Sequence, residues 1–222
     1  MKRNVYVSVS TDPIEEYQEI LEYAKKMQGN ADFLHCDVMD GKFVENTTYD
    51  AQLVYNINQN SLIALDVHLM VREPARQIED YIKAGANIIT VHYEAFEDKN
   101  KIVEVIKKLK ANNVLAGLSI KPETPIKDIK MYIHELDVIL VMSVEPGASG
   151  QKFMPESLDK IRQLDLLRRE NNYNYKIEVD GGVNDTNSKL LIESGVDILV
   201  SGSYVYKSPN QLKAIENLRN PN

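Results

Sequence analysis

Residues 33–41 read FLHCDVMDG, and this stretch carries the pattern that predicts the fold. The run 33–38 is short and mostly apolar, which is typical of a buried strand. Alternate residues of a strand share a face, so His35 and Asp37 point to one side while Cys36 points to the other. The stretch therefore predicts a strand that carries an imidazole and a carboxylate near its C-terminal end.

Similar apolar runs recur along the whole chain of 222 residues, separated by longer segments with helical periodicity. The predicted strands are 5–10, 33–38, 63–69, 88–92, 114–120, 138–142, 176–180 and 198–201. The predicted buried helix faces are Ile102, Val105, Ile106 and Leu109 in one segment and Ile14, Tyr17, Leu21 and Ala24 in another. This alternation predicts an α/β fold, a single (β/α)8 TIM barrel spanning residues 1–222. An open, doubly wound sheet is the alternative, because periodicity does not show closure.

The side chains capable of chemistry favour the barrel over the open sheet. They lie at or just beyond the C-terminal ends of the predicted strands: Ser10, His35, Asp37, His68, His92, Met142, Asp180 and Ser203. A barrel gathers these ends around one mouth, where the active sites of this architecture lie. Polar residues with purely structural roles would have no reason to choose the same end of each strand.

Charge and composition exclude several functional classes. The formal net charge of -7 argues against binding to nucleic acid or to an anionic membrane surface. The single cysteine, Cys36, excludes an intramolecular disulfide and fits a reducing compartment. No apolar stretch approaches the roughly 18 residues that a membrane span needs. We therefore expect a cytoplasmic protein whose partner is a small molecule.

Two imidazoles and two carboxylates on three predicted strand ends form a candidate metal site. The four residues are His35, Asp37, His68 and Asp180. Such a set suits one divalent ion, with zinc, iron(II), cobalt and manganese all acceptable. The alternative is structural, because a strand-end histidine often only satisfies hydrogen bonds and an aspartate before glycine often only forms a turn. Spacing alone leaves both interpretations open.

Three successive loops are rich in glycine and indicate a phosphate site. They are residues 142–151 after the sixth predicted strand, 181–182 after the seventh and 201–203 after the eighth. Such loops expose main-chain N–H groups, and phosphate sites of these barrels commonly follow the seventh and eighth strands. Ordinary turn chemistry would explain any one of these glycines, but three such loops in succession favour phosphate binding.

At these same residues the sequence resembles the ribulose-phosphate 3-epimerase family. The matching segments, in family order and over nearly the whole chain, are 35–41, 66–70, 90–94, 142–151, 178–182 and 201–203. The resemblance implies a ribulose-phosphate-binding barrel and an isomerase that inverts C3 of a ketose phosphate. D-ribulose 5-phosphate, converted to D-xylulose 5-phosphate, is the substrate that the family favours.

The resemblance also implies roles for individual residues. His35, Asp37, His68 and Asp180 match the family's ligands to one divalent metal ion, zinc or iron(II) before manganese or cobalt. Asp37 and Asp180 also match its two acid/base residues, which transfer a proton across the substrate through a metal-stabilised enediolate. The implied substrate-binding set is Ser10, His68, Met39, Met70, Met142, Gly147, Ala148, Ser149, Gly150, Gly182, Gly202 and Ser203. Family members commonly form homo-oligomers, so we expect one here.

Three departures from the family pattern leave alternatives open. The first strand reads Val-Ser-Val-Ser at 7–10, so Ser8 and Ser10 both face inward, and we favour Ser10 for the substrate. Glu45 replaces a usual proline, and the residues at 148–149 replace an aromatic and a glycine. A D-allulose-6-phosphate 3-epimerase is therefore the main alternative. Another alternative is a non-catalytic sugar-phosphate-binding barrel, which leaves the paired carboxylates unexplained. A third is a metal-free isomerase of amino-acid biosynthesis, which leaves the paired imidazoles unexplained.

Overall fold

The computed structural model describes residues 4–148 and 150–221. Eight parallel strands form a closed barrel in which each strand pairs with the next and the last pairs with the first. The strands are β1 (Tyr6–Ser10), β2 (Phe33–Met39), β3 (Ala64–Met70), β4 (Ile88–His92), β5 (Leu115–Ile120), β6 (Val138–Met142), β7 (Lys176–Asp180) and β8 (Ile198–Ser201). The predicted (β/α)8 barrel is confirmed, and the pairing of β1 with β8 excludes the open sheet.

Helices connect the strands and surround the barrel. They are α1 (Tyr17–Met27), α2 (Ala51–Asn60), α3 (Pro74–Lys83), α4 (Asn100–Ala111), α5 (Ile126–Ile129), α6 (Ser157–Asn171), α7 (Ser188–Ser194), α8 (Ser203–Tyr206) and α9 (Gln211–Arg219). Two short 3-10 turns, Tyr93–Ala95 and Ile133–Glu135, complete the order. Within the described ranges, none of these helices combines the length and apolarity needed to cross a bilayer.

The alternation of side chains on each strand divides the core into two parts. On β2, Leu34, Cys36 and Val38 belong to the apolar layer between barrel and helices. The intervening His35 and Asp37 point into the barrel, as predicted, and are also buried. Each large apolar side chain in the outer layer contributes roughly 1.5–3 kcal/mol by burial. This outer layer stabilises the fold, which lets the barrel interior carry polar groups.

One predicted helix face is confirmed and the other is wrong in part. Helix α4 buries Ile102, Val105, Ile106 and Leu109 as predicted. Helix α1 buries Ile20, Tyr23, Ala24 and Met27. Tyr17, predicted to be buried, is instead 39% exposed. It is the first residue of α1, and a first-turn side chain need not follow the stripe that packs on the barrel.

Candidate active site

A cavity of about 500 Å³ opens at the C-terminal ends of the strands. Its lining includes Ser10, Asp37, Met39, Met70, Met142, Gly147, Ala148, Gly150, Asp180, Gly182, Gly202 and Ser203. His35 and His68 are fully buried below it. Ser149, also predicted to bind substrate, lies outside the described residues. The barrel thus brings the described candidates, drawn from six strands and their loops, to one place.

Four side chains present ligand atoms to one point at the cavity floor. The ligand atoms of His35, Asp37, His68 and Asp180 all lie within 4.8 Å of one another. Asp37 Oδ1 lies 3.3 Å from His35 Nε2 and 3.0 Å from His68 Nδ1. Asp180 Oδ2 lies 3.9 Å from His35 Nε2 and 4.0 Å from His68 Nδ1. Ligands about 2 Å from a tetrahedral zinc ion would be about 3.3 Å apart, so a divalent ion fits this set.

The hydrogen bonds of His35 leave one of its nitrogens for a cation. Its Nδ1 lies 2.6 Å from Asp66 Oδ2, which also accepts from the hydroxyl of Ser8 at 2.8 Å. Its Nε2 is buried and makes no hydrogen bond of acceptable geometry among the described residues, although Asp37 Oδ1 lies 3.3 Å away. A buried polar atom left unpaired costs roughly 1–3 kcal/mol. A carboxylate behind a ligating histidine is the usual support of a metal-bound imidazole. Both observations fit a metal at Nε2.

The electrostatics of the cluster favour a positive charge at this point. Burial opposes the charged form of His35, but the carboxylates of Asp66 and Asp37 outweigh it and raise the pKa of His35 well above its usual value. Burial and the negative charge of Asp66 raise the pKa of Glu178 well above its usual value. Several carboxylates thus meet in a buried region with little access to solvent, and a bound cation would relieve their mutual repulsion.

The two candidate acid/base residues have opposite electrostatic environments. Burial alone would raise the pKa of Asp37, but His35 and His68 hold it well below its ordinary value. Burial and the negative charge of Asp37 raise the pKa of Asp180 to about 7. Asp37 belongs to β2 and Asp180 ends β7, so the two carboxylates approach the cavity from different sides of the barrel. Pairs of carboxylates with divergent pKa values are typical of acid/base sites.

Ser8 and Ser10 occupy different depths of the barrel. The hydroxyl of Ser10 donates to Asp37 Oδ2 at 3.1 Å and accepts from the main-chain N–H of Asp12 at 3.0 Å. Ser10 lines the cavity. Ser8 is fully buried and donates to Asp66 beneath His35. The geometry therefore favours Ser10 as the serine that meets a ligand and gives Ser8 a supporting role.

The glycine-bearing loops approach one another closely at the cavity rim. Gly147 has a φ of +116°, and a Cβ there would lie 2.9 Å from Val44. Gly182 has a φ of +66°, and a Cβ would lie 2.5 Å from the main-chain nitrogen of Phe153. The side-chain amide of Asn46 donates to the carbonyl of Gly147 at 2.6 Å, which joins the loop after β2 to the loop after β6. Only glycine allows the main chain to take these positions.

Four polar residues around the site were given no chemical role from the sequence, and His92, which its strand-end position placed at the mouth, is fully buried and does not line the cavity. Asp66 and Glu178 stand two residues before His68 and Asp180, so strand alternation puts each pair on one face and could have indicated them. His92 and Glu94 lie at the end of β4, and His92 Nε2 lies 2.9 Å from His68 Nε2. Their contribution depends on contacts between β3 and β4, which the sequence does not show.

The comparisons with known proteins agree with the site that the geometry defines. The model described as "Ribulose-phosphate 3 epimerase family" matches residues 6–206. The chain belongs to the ribulose-phosphate 3-epimerase family. The ribulose-phosphate 3-epimerase of Bacillus subtilis is 41% identical over 193 residues, 86% of this chain and 88% of that protein. The protein of the same name from Escherichia coli K12 is 38% identical over 88% of this chain and 86% of its own length. The predicted resemblance is confirmed.

Solved structures outside the ribulose-phosphate 3-epimerase family share its barrel. The 3-keto-L-gulonate-6-phosphate decarboxylase of Vibrio cholerae has a TM-score of 0.70 at 16% identity, covering 97% of this chain and 96% of that one. A 3-hexulose-6-phosphate synthase has a TM-score of 0.65 at 16% identity, covering 97% and 98%. At this identity the likeness supports the fold alone.

Proposed function

We propose that this member of the ribulose-phosphate 3-epimerase family interconverts D-ribulose 5-phosphate and D-xylulose 5-phosphate. One observation carries the proposal: Asp37 and Asp180 reach one cavity from two sides of the barrel, beside two buried imidazoles. The names of the relatives at 41% and 38% identity support the same substrate and the same reaction.

The reaction explains why two carboxylates are needed. Inverting C3 of a ketose phosphate requires removing a weakly acidic C–H beside the carbonyl and returning a proton to the opposite face. A single base stays on one face, so each face needs its own acid/base group. We assign these roles to Asp37 and Asp180. The hydrogen bond from Ser10 to Asp37 Oδ2 orients one of the two carboxylates.

His35, Asp37, His68 and Asp180 would hold the divalent cation that the family implies. When bound, such a cation acts as a Lewis acid that stabilises negative charge on the oxygens of the substrate. The nitrogen and carboxylate ligands suit zinc or iron(II), with manganese or cobalt as further candidates. The unpaired His35 Nε2 and the four converging ligand atoms support this assignment.

The remaining candidates surround the substrate. Met39, Met70 and Met142 are buried side chains that line the cavity, and we propose that they exclude water from the reacting carbon. A dry site strengthens the electrostatic stabilisation of developing charge. The loops that carry Gly147 and Gly182 would bind the phosphate through main-chain N–H groups.

A coupled epimerisation assay tests the proposal. Purified protein loaded with zinc or iron(II) is given D-ribulose 5-phosphate or D-allulose 6-phosphate, and kcat/KM is compared. We expect the five-carbon substrate to be preferred. Removal of the metal with a chelator should abolish turnover, and addition of the same metal should restore it.

The other candidate functions give different outcomes in this assay. Preference for the six-carbon sugar would make the chain an allulose-6-phosphate 3-epimerase. Binding of both sugars without turnover would identify a non-catalytic barrel. Full activity after complete removal of the metal would overturn the four ligand assignments. Heat-denatured protein and buffer with metal alone serve as controls.

A further inference from the structure

A line of buried polar side chains runs behind His68, away from the cavity. His68 Nε2 lies 2.9 Å from His92 Nε2, and His92 Nδ1 lies 3.1 Å from Glu94 Oε2. His68 and His92 are fully buried, and the side chain of Glu94 is 20% exposed. Neither His92 nor Glu94 lines the cavity as described, so contact with the substrate does not explain them.

The outer end of this line has a defined hydrogen-bond direction. Glu94 Oε1 accepts from the main-chain N–H of Lys121 at 2.8 Å and from the hydroxyl of Thr124. A main-chain N–H can only donate, so Oε1 is held as an acceptor. An ionised carboxylate at Oε2 then requires His92 to carry its proton on Nδ1. His92 Nε2 is left with a lone pair.

The position of the proton on His92 in turn fixes the position of the proton on His68. Because His92 Nε2 accepts, His68 Nε2 must donate, and His68 Nδ1 then carries the lone pair. That atom lies 3.0 Å from Asp37 Oδ1, a distance that either a proton on Nδ1 or a shared cation would explain, and 4.0 Å from Asp180 Oδ2. The tautomer set by His92 removes the proton, so a cation shared by His68 and Asp37 accounts for the contact. Each step thus leaves His68 Nδ1 free to bind a cation at the point where the carboxylates converge.

Packing holds the rings in this arrangement. The ring of His92 lies between two others, with centroids 4.9 Å from His68 and 4.8 Å from Phe43. The interplanar angles are 31° and 41°, and His92 is fully buried, so its ring packs against both neighbours. The ammonium group of Lys121 lies 4.7 Å from the centre of the Phe43 ring.

We propose that Glu94 and His92 are positioning residues that set the tautomer of His68 and so prepare Nδ1 as a metal ligand. This inference rests on the metal site of the proposed function. His35 has the simpler form of the same device, since the carboxylate of Asp66 contacts its Nδ1 directly and leaves Nε2 for the metal. A second buried imidazole thus separates His68 from its carboxylate.

The substitution Glu94→Gln tests the direction of the hydrogen bonds. The amide oxygen would keep the bonds from Lys121 and Thr124, which turns the NH2 group toward His92 Nδ1. His92 would then carry its proton on Nε2 and donate to His68 Nε2. The proton of His68 would move to Nδ1, the atom that faces the metal. We expect affinity for zinc, measured by competition with a chromogenic chelator, to fall about 10- to 100-fold.

Two spectroscopic measurements separate this role from a structural one. The visible spectrum of the Co²⁺-loaded protein should change in Glu94→Gln, while circular dichroism and thermal unfolding of the metal-free protein stay close to wild type. Nitrogen-15 spectra of the four histidines in zinc-loaded wild type should show the proton of His92 on Nδ1 and that of His68 on Nε2. This second measurement needs no variant, so it decides the question even if Glu94→Gln fails to fold.

Glu97→Gln is the matched control, because the same change is made three residues along the chain at a side chain that is 96% exposed. It should leave zinc affinity and the Co²⁺ spectrum unchanged. Equal zinc affinity in Glu94→Gln and wild type, or a His92 proton on Nε2 in the wild type, would overturn the inference alone. Failure of wild type to bind any divalent metal would overturn the inference together with the metal site of the proposed function.

Discussion

Replacing Asp180 by asparagine isolates one of the two proposed bases. The substitution keeps the size of the side chain and an oxygen that can ligate a metal, but removes the group that accepts a proton. Asp180 Oδ2 lies 3.9 Å from His35 Nε2 and 4.0 Å from His68 Nδ1, beyond hydrogen-bond distance of both imidazoles. The fold therefore loses little when the carboxylate is lost.

The expected loss of rate follows from the role of a general base. A positioned acid/base group contributes about 10²- to 10⁴-fold, equivalent to about 3 to 5 kcal/mol of transition-state stabilisation. We expect kcat for epimerisation by Asp180→Asn to fall by about 10²-fold or more when the metal site is saturated. KM should change much less, since Asp180 belongs to the cavity floor and we assign binding of the phosphate to the glycine loops.

Exchange of the C3 hydrogen in D2O gives a sharper measurement than rate alone. With Asp37 intact, Asp180→Asn should still remove the C3 proton of one epimer and return a deuteron to the same face. We expect deuterium to enter that epimer without inversion, and the other epimer to stay protonated. Proton NMR and the coupled assay report the two processes separately.

Epimerisation by Asp180→Asn within tenfold of wild type would exclude Asp180 as a base. Equal deuterium incorporation into both epimers would exclude a division of faces between the two carboxylates. Asp185→Asn, an exposed position in the following loop, is the matched control and should keep wild-type kinetics.

Three further predictions concern pH, the glycine-bearing loop after β7 and the paired serines. Burial raises the pKa of Asp180 to about 7, above its unfolded value, so its contribution to stability is present at pH 4 and lost as pH rises toward 8. In urea unfolding of chelated protein, the free energy of unfolding of Asp180→Asn should rise by about 3 kcal/mol relative to that of wild type between pH 4 and pH 8. The same difference between the two proteins at both pH values would contradict the raised pKa of Asp180. Gly182→Ala should raise KM for the phosphorylated substrate at least about tenfold, because a left-handed φ costs roughly 1–2 kcal/mol and the added Cβ meets main chain. Gly29→Ala, also at positive φ but with open space around it, should lose stability and keep KM. Ser8→Ala should lower the free energy of unfolding by roughly 1–3 kcal/mol with little change in kinetics, whereas Ser10→Ala should alter kcat or KM, and the reverse pattern would exchange their roles.

The sequence alone was enough for the strands, their order along the chain and the inward faces of the first two. These properties depend on the period of side chains along one element, which is local. The alternation in FLHCDVMDG predicted that Cys36 joins the outer apolar layer while His35 and Asp37 point inward, and both hold in the structure. The strand-end positions also predicted most of the side chains that meet at the mouth, with His92 as the exception.

The tertiary structure decided what depends on distances between elements. Closure required the pairing of β1 with β8, and the choice between Ser8 and Ser10 required the depth of each in the barrel. The contact of Glu94 with His92, and of His92 with His68, joins two strands through three side chains. Periodicity says which face a residue occupies but not how far it lies from a residue on another strand. That distance depends on the register of the closed barrel, which only the fully paired set of strands determines.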